Sequence, residues 1–296
     1  MAPLSEDSRA ALDAVLAGSS PGAVIGADNL DVLAAIPDGT VDLAYADPPF
    51  ATGRRRRLVS IRTGSGERTR PGFRGPDVAY ETVSDLAWDD DQPLDEHLAA
   101  LGARIREIHR VLAAHGSLYL HVDWRTVHHA RLLLDEVFGP ERFLNELVWA
   151  YDYGGRARDR WPRKHDTILW YAKGDRWLFD REAIGRIPYM APGLVGPEKA
   201  ARGKLPTDVW WMTIVPPASA ERTGYPTQKP VRLLERIVAA SSRPGDLVLD
   251  PFAGSGTTGV AAQRLGRRWV LVDSNPVAVE IARGRLAAEG AGSIEP

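Results

Sequence analysis

The chain has 296 residues, 44% hydrophobic and 26% charged, the make-up of a globular protein long enough for one large α/β domain or a domain with an insertion. It has no Cys, which excludes disulfides, thiolate metal sites and a cysteine nucleophile; no apolar run approaches the ~18 residues of a membrane span; and the early acids Glu6, Asp7 and Asp13 do not suit a signal peptide, so the expected compartment is the cytoplasm. The net charge of −2 conceals a local run, Arg54, Arg55, Arg56, Arg57, Arg62, Arg68, Arg70 and Arg74 against Glu67 alone, which reads either as a solvated loop or as a surface for a polyanion.

Residues 6–17 suit a short helix. Ala23-Val24-Ile25-Gly26 reads as a strand ending at Asp28-Asn29, and Asp31 to Ile36 as a short helix before a Pro37-Asp38-Gly39 turn. Val41 to Ala46 is a second apolar strand. Asp47-Pro48-Pro49-Phe50 must end it, because neither proline has an N–H to give to a ladder. That turn holds a carboxylate, carbonyls with little freedom to rotate away, and an aromatic face. An acceptor pair beside a flat ring can grip a planar amine such as that of a nucleobase; taken alone, the four residues also read as an ordinary strand-ending turn. Asp28-Asn29 and Asp47 both fall at strand carboxyl ends, where open α/β sheets place their ligands.

Residues 51 to about 91 read as a long loop, rich in Gly, Pro, Arg and Asp. Leu94 to Ala114 has helical spacing through Leu98, Leu101, Ile105, Ile108 and Leu112. Ser117 to Val122 is a strand, and Val127 to Phe138 a helix stopped by Gly139-Pro140. Phe143 to Asp152 and Thr167 to Lys173 read as two strands. Their linker carries Arg156, Arg158, Arg160, Arg163 and Lys164, with Trp161 among them. Trp177 to Thr223 has frequent prolines and no sustained period, and reads as an inserted irregular module. Pro230 to Ser242 is a helix with Leu233, Leu234, Ile237 and Val238 on one face.

The stretch from Leu247 through Asp250-Pro251-Phe252-Ala253-Gly254-Ser255-Gly256-Thr257 is a strand, a Gly-containing turn and a helix start. Gly254 and Gly256 let the backbone approach a ligand, and the helix start favours a polar or negative group. Trp269 to Asp273 is a strand ending in an acid, 273 − 250 = 23 residues after Asp250. That is close to the ~20 between a nucleotide-binding turn and a ribose-binding acid; Asp273 also suits a cap for the helix from Asn275 to Leu286. Gly259 follows Gly256, but Thr257-Thr258 intervene without a phosphate-binding Lys, and the Walker pattern fails. A nucleoside cofactor without phosphates suits the turn better than a pyrophosphate.

Together these stretches resemble the DNA amino-methyltransferases that use S-adenosylmethionine, in the circularly permuted beta-class order: catalytic turn, recognition region, cofactor turn. Gly26-Ala27-Asp28-Asn29-Leu30 resembles the family's cofactor-adenine strand end, with Ala27 where Gly is more usual. Asp47-Pro48-Pro49-Phe50 resembles the catalytic signature, and Trp149 through Arg163-Lys164-His165-Asp166 the basic stretch before the recognition region. Gly224-Tyr225-Pro226-Thr227-Gln228-Lys229-Pro230 is similar to the His-Pro-Thr-Gln-Lys-Pro element, with Tyr225 where His is commoner, a position at the rim of the cofactor pocket. Asp250 to Thr257 resembles the cofactor turn. The resemblance covers nearly the whole chain except 51–85 and 178–222.

The resemblance implies a Rossmann-like α/β fold with a mixed, mostly parallel seven-stranded sheet, circularly permuted. Its catalytic half would be 1–177, with 51–91 as a DNA-contacting loop; 178–222 would be the target recognition insertion, and 223–296 the cofactor half of the same domain. The reaction implied is methyl transfer from S-adenosylmethionine to adenine N6 in double-stranded DNA, with the base flipped out of the helix. Cytosine N4 is the alternative, Asp47 leaning toward adenine; RNA or protein-glutamine methylation and a non-catalytic DNA-binding protein are further alternatives.

In the residues of this chain, Asp47 and the Pro48 carbonyl would accept the amine hydrogens, Pro49 would stiffen the turn and Phe50 would stack on the base. Asp28, Asn29, Thr227, Lys229, Asp250, Phe252, Gly254, Ser255, Gly256, Thr257 and Asp273 would hold the cofactor. Thr227 and Lys229 suit its carboxylate or, equally, a helix N-cap and a surface Lys. Arg54, Arg55, Arg56, Arg57, Arg156, Arg158, Arg163 and Lys164 would hold phosphates, and Trp210, Trp211 and Arg222 are candidates for base contacts. No metal is expected: His128-His129 reads as helix surface. His165-Asp166 reads as conformational, and Trp88 as packing. The implied setting is a bacterial cytoplasm, nucleoid-associated on DNA, with a homodimer and a cognate restriction nuclease left open as partners.

Overall fold

The computed structural model describes residues 3–50, 56–72, 75–88, 93–154 and 156–291, with 56–88 described by backbone path. The chain divides into two compact units, Met1–Pro48 with Leu98–Pro296, and Pro49–His97.

In the larger unit, helix α1 (Glu6–Leu16) leads into strand β1 (Gly22–Gly26), α2 (Asn29–Ala35) and β2 (Val41–Ala46). The smaller unit holds β3 (Arg56–Gly72) and β4 (Gly75–Trp88), an antiparallel ribbon whose register runs from Arg56 opposite Trp88 to Gly72 opposite Gly75. The loop expected over 51–91 is corrected by this ribbon. Two neighbouring segments can pair through main-chain bonds alone, so the apolar alternation that marks a sheet strand was never required.

Helix α3 (Leu94–Val111) ends before the expected Ala114 because β5 (Leu112–Val122) begins at once. Then come α4 (Val127–Phe138), β6 (Phe143–Ala150), β7 (His165–Ala172), α5 (Pro197–Arg202), β8 (Val209–Trp211), α6 (Val231–Ser241), β9 (Leu247–Asp250), α7 (Thr257–Arg264), β10 (Arg268–Asp273) and α8 (Pro276–Ala291). One eight-stranded sheet runs in the order β1-β10-β9-β2-β5-β7-β6-β8. Seven strands were expected; the eighth, β8, belongs to the region read as an irregular insertion. It pairs in parallel with β6, Val148 against Val209 through Ala150 against Trp211.

The sheet is parallel from β1 through β5, and β7 is antiparallel to both of its neighbours. Both faces are covered, so the central strands read as continuous apolar runs. In β2, Val41, Ala44 and Ala46 pack among α1 to α4, whereas Leu43 and Tyr45 pack on the other side with α6 and α7.

The permutation is visible in the strand order. The first strand, β1, pairs with the last, β10, and β9 lies beside β2. From β9 the chain moves outward to one side, and from β2 to the other. The β9–β2 boundary is therefore a topological switch point, where such sheets open a crevice beyond their carboxyl ends. It sets the Asp250 turn next to the Asp47 turn.

Candidate active site

Asp47 leaves β2 at this boundary with its side chain 18% exposed, and Pro48 is buried. The Lys229 ammonium, only 8% exposed, closes an ion pair on Oδ2 of Asp47. Lys229 was read as a cofactor-carboxylate ligand or, equally, a surface Lys; it is buried and pairs with the Asp47 carboxylate. Pro49 and Phe50 open the smaller unit.

The Gly-rich turn is built by hydrogen bonds from its own acids. Asp250 is buried, taking Phe252 N–H on Oδ1 at 2.9 Å and the Thr258 hydroxyl on Oδ2 at 2.5 Å. Burial pushes its carboxyl up to about 7. Asp250 thus shapes the turn from within. Asp273, at the end of β10, accepts from Gly254 N–H on Oδ2 and from Asn275 N–H on Oδ1, both at 2.8 Å. It holds the N–H of Asn275, whose own Oδ1 caps α8 through Val277 N–H at 2.9 Å, and it pins the Gly turn; burial raises its carboxyl. Each oxygen keeps a further lone pair for a hydroxyl.

Gly254 and Gly256 sit at φ +50° and +76°, a region that favours glycine. A Cβ on Gly254 would lie 3.1 Å from the Tyr225 ring, so Tyr225 closes one wall over the turn. Burial, with Asp273 and Asp47 nearby, pushes the Tyr225 hydroxyl well up. Gly259 completes a Gly-x-Gly-x-x-Gly spacing and packs α7 against Leu271 of β10. The glycines alone would therefore admit a dinucleotide.

Ser255 and Thr257 are buried. The Thr257 hydroxyl donates to the Lys229 carbonyl at 3.1 Å and accepts from Arg285 at 2.9 Å. Phe252 is half-buried against the core. Thr227 is exposed with φ +61°. Asn29 is turned inward: its amide donates to the Pro251 carbonyl at 2.8 Å and accepts from Arg104 at 2.6 Å. Asp28 caps α2 through Leu30 N–H at 2.8 Å and lies exposed at the end of β1, with Arg104 beside it.

The crevice is thus lined by Asp28, Asp47 and Asp273 around one buried ammonium, with Asp250 beneath the glycine turn. Phosphates would be repelled, while a phosphate-free nucleoside bearing a cationic centre and a diol fits this donor set. Among the described residues there is no cluster of metal ligands and no helix long and apolar enough to cross a membrane.

The β6–β7 linker leaves the same edge of the sheet. Arg156, Arg158 and Arg163 are exposed, Arg163 stacks on Trp124 at 3.5 Å, and Lys164 bonds the Gly154 carbonyl at 2.9 Å. Trp161 is 92% exposed among them. Arg54 and Arg55 lie outside the described residues, as do the side chains of Arg56, Arg57 and Trp88. Trp210, expected as a base contact, is core: its ring is 7% exposed and its Nε1 donates to the Thr207 carbonyl at 2.6 Å. Trp211 and Arg222 are exposed, as are His128 and His129.

Sequence reading missed Tyr45, His121 and Tyr151. Asp166 does not act with its neighbour His165, which is exposed; it bonds His121 from another strand at 3.3 Å and Tyr151 at 3.2 Å. The only signal available was a polar His121 within an otherwise apolar strand.

A family model described as DNA methylase, of the N6/N4 methyltransferases, matches residues 41–284. The chain is 30% identical over 254 residues to the type II methyltransferase M.HpaI of Haemophilus parainfluenzae, covering 85% of this chain and 70% of that one. It is 30% identical over 278 residues to the DNA adenine methyltransferase YhdJ of Escherichia coli K12, covering 91% and 84%. Among solved structures, the PvuII cytosine-N4-specific DNA methyltransferase shares the fold with a TM-score of 0.62 at 17% identity, covering 90% of this chain and 86% of that one. The putative DNA modification methylase TTHA0409 of Thermus thermophilus does so with a TM-score of 0.57 at 22% identity, covering 91% and 95%.

Proposed function

The chain belongs to the DNA methylase family of N6/N4 methyltransferases, and from that membership we propose that it methylates the N6 amine of adenine in double-stranded DNA, with S-adenosylmethionine as donor. The observation that carries the reading is the pairing of turns at the β9–β2 boundary, a carboxylate-bearing Asp47-Pro48 turn beside an acid-lined glycine turn.

The donor supplies a methyl group on a sulfonium, an electrophile. An aromatic amine is a poor nucleophile because its lone pair is delocalised into the ring. Asp47 accepts one amine hydrogen and the Pro48 carbonyl the other, which draws the nitrogen toward tetrahedral geometry and frees its lone pair. The carboxylate then stabilises the positive charge that grows on nitrogen. No covalent intermediate with the protein is required, in keeping with a chain that has no Cys.

In this reading Asp273 binds the ribose diol, Asp28 the adenine of the donor, and Tyr225 with Gly254 the wall between them. Phe50 stacks on the flipped base. The exposed Arg156, Arg158 and Arg163, with Arg54 to Arg57, bind phosphates, and Trp211 and Arg222 reach for bases. A second copy and a cognate restriction nuclease are proposed partners.

The test is incubation of purified protein with labelled donor and duplex DNA, followed by mass spectrometry of the nucleosides. N6-methyladenine is expected. N4-methylcytosine would move the reading to the other amine, and no methylated nucleoside would refute it.

A further inference from the structure

A cavity apart from the crevice lies on the α6 side of the sheet, within the larger unit. Its volume is about 280 Å³, and none of the residues assigned to the catalytic turn or the cofactor turn lines it. The floor is a row across three strands. Trp170 of β7 stands opposite Tyr119 of β5 on one side and Asn145 of β6 on the other. The Tyr119 and Trp170 rings stack, with centroids 5.2 Å apart and planes 12° from parallel. Phe179, beyond β7, leans on Trp170 at 5.5 Å, and Trp210 of β8 closes a further side. Two of these rings are fixed by bonds of their own: the Tyr119 hydroxyl meets that of Ser241 at 2.7 Å, and Trp210 Nε1 donates to the Thr207 carbonyl at 2.6 Å. A pre-formed aromatic cavity receives a flat apolar body at little ordering cost.

Two polar side chains reach the same space. Asn145 lies two residues before Leu147 on β6, so both face α6. Arg236 of α6 holds its guanidinium over the Trp210 ring at 5.0 Å. Among the described residues neither side chain has a hydrogen-bond or ion-pair partner. The acids around Arg236 serve elsewhere. Glu235 pairs with Arg264, the Asp180 carboxylate takes the N–H groups of Glu182 and Ala183, and Asp208 at the rim is exposed and makes no ion pair with Arg236. Arg232, one turn earlier on α6, adds positive charge, and burial with Arg232 presses the Arg236 guanidinium below its ordinary value. A half-buried cation is costly without an anion beside it. The Trp210 face offsets part of that cost but supplies no acceptor.

We propose that this cavity binds a small planar aromatic carboxylate: the ring lies among Trp170, Phe179 and Trp210, the carboxylate sits on the Arg236 fork, and the Asn145 amide is a further donor. The volume is at the lower end of small-molecule sites, which suits a small fused-ring system and excludes a nucleotide. The inference goes beyond methyl transfer and does not depend on it.

The test titrates indole-3-carboxylate into the full chain by calorimetry, where a Kd below about 1 mM is expected. Indole-3-carboxamide has the same shape without the charge, and acetate has the charge without the ring; each should bind at least about tenfold more weakly. Arg236→Met should weaken the probe at least about tenfold, and Arg236→Lys severalfold, because an ammonium keeps the charge and loses the fork. Asn145→Ala should weaken it severalfold through one lost hydrogen bond. Melting temperatures report whether each variant folds; should Arg236→Met unfold, the two analogues on wild-type protein still decide. Saturating S-adenosylmethionine should leave the probe's Kd within about twofold, since the two sites share no residue. No binding of the probe, equal affinity for the carboxamide, an unchanged Kd in a folded Arg236→Met, or competition by S-adenosylmethionine would each overturn the proposal.

Discussion

Lys229 pairs with Asp47 across 182 positions of sequence and ties the two halves of the site together. Its side chain holds the Asp47 carboxylate, while its backbone carbonyl accepts from Thr257 in the Gly-rich turn. Arg285 of α8 in turn holds Thr257. The Gly-rich turn and the Asp47 carboxylate are thereby joined through one residue.

In the proposed reaction, replacing Asp47 by Ala removes an acceptor of the amine hydrogens. Methyl transfer is expected to fall by at least about 10³-fold, the scale of a lost transition-state contact. Donor affinity should stay near wild type, since Asp273 and the Gly turn remain. Measuring labelled methyl transfer beside calorimetric binding checks both; retained turnover would remove Asp47 from the chemistry.

Asp273→Ala should damage binding and stability together. Its two oxygens serve Gly254 N–H and Asn275 N–H. Loss of these bonds costs about 1–3 kcal/mol, and donor affinity drops about tenfold or more, a change of about 1.4 kcal/mol. A variant with normal donor affinity and a lower melting point would leave Asp273 a purely structural role.

The two turn glycines should differ. In Gly256→Ala the new Cβ would stand 2.9 Å from Ala282 Cβ at φ +76°, against a short side chain that has nowhere to move. In Gly254→Ala the neighbour is the edge of the Tyr225 ring at 3.1 Å, which can tilt. Urea unfolding is expected to show the larger loss for Gly256→Ala, about 2 kcal/mol or more. The reverse order would contradict the packing described here.

Asp250 predicts a pH dependence. Its carboxyl is raised from 3.8 to about 7 by burial, so folding favours the protonated form. That stabilising contribution is complete below about pH 4, falls steadily as pH rises from there, and is lost above about 7. Asp250→Asn removes the titration while keeping an acceptor for Phe252 N–H. Between about pH 4.5 and about pH 7 the wild-type melting temperature should therefore fall more steeply than that of the variant. Equal slopes would place the ionisation elsewhere.

Arg156, Arg158 and Arg163 project from the β6–β7 linker at the edge of the sheet that carries Asp47. Changing all three to Ala should weaken DNA binding at low salt and flatten the plot of log affinity against log salt by about 2 to 3 units, at roughly 0.9 per phosphate contact. An unaltered slope would make the linker a solvated surface.

Much of the scaffold was legible because its causes are local. Val41–Ala46 was readable as a strand because both of its faces are buried, and Val127–Phe138 as a helix because its core-facing residues recur with helical spacing before Gly139. The ribbon over 56–88 and the short β8 were not legible. A self-paired ribbon needs no apolar period, and three residues are too few to show one; β8 exists because the edge of β6 offers main-chain partners.

For the site, sequence alone determined the chemical vocabulary and its order: a Pro-stiffened carboxylate turn first, a Gly-containing acid-ended turn last, and no Cys between them. Tertiary structure decided the partners. That Lys229 grips Asp47, that Asp250 and Asn29 face inward, that Trp210 is core, and that Asp166 bonds His121 rather than acting with His165 all follow from which strands adjoin and in what register. Side-chain spacing along a chain fixes only neighbours within one element; contacts such as that of Lys229 with Asp47 depend on the parallel pairing of β9 with β2, which no local pattern encodes.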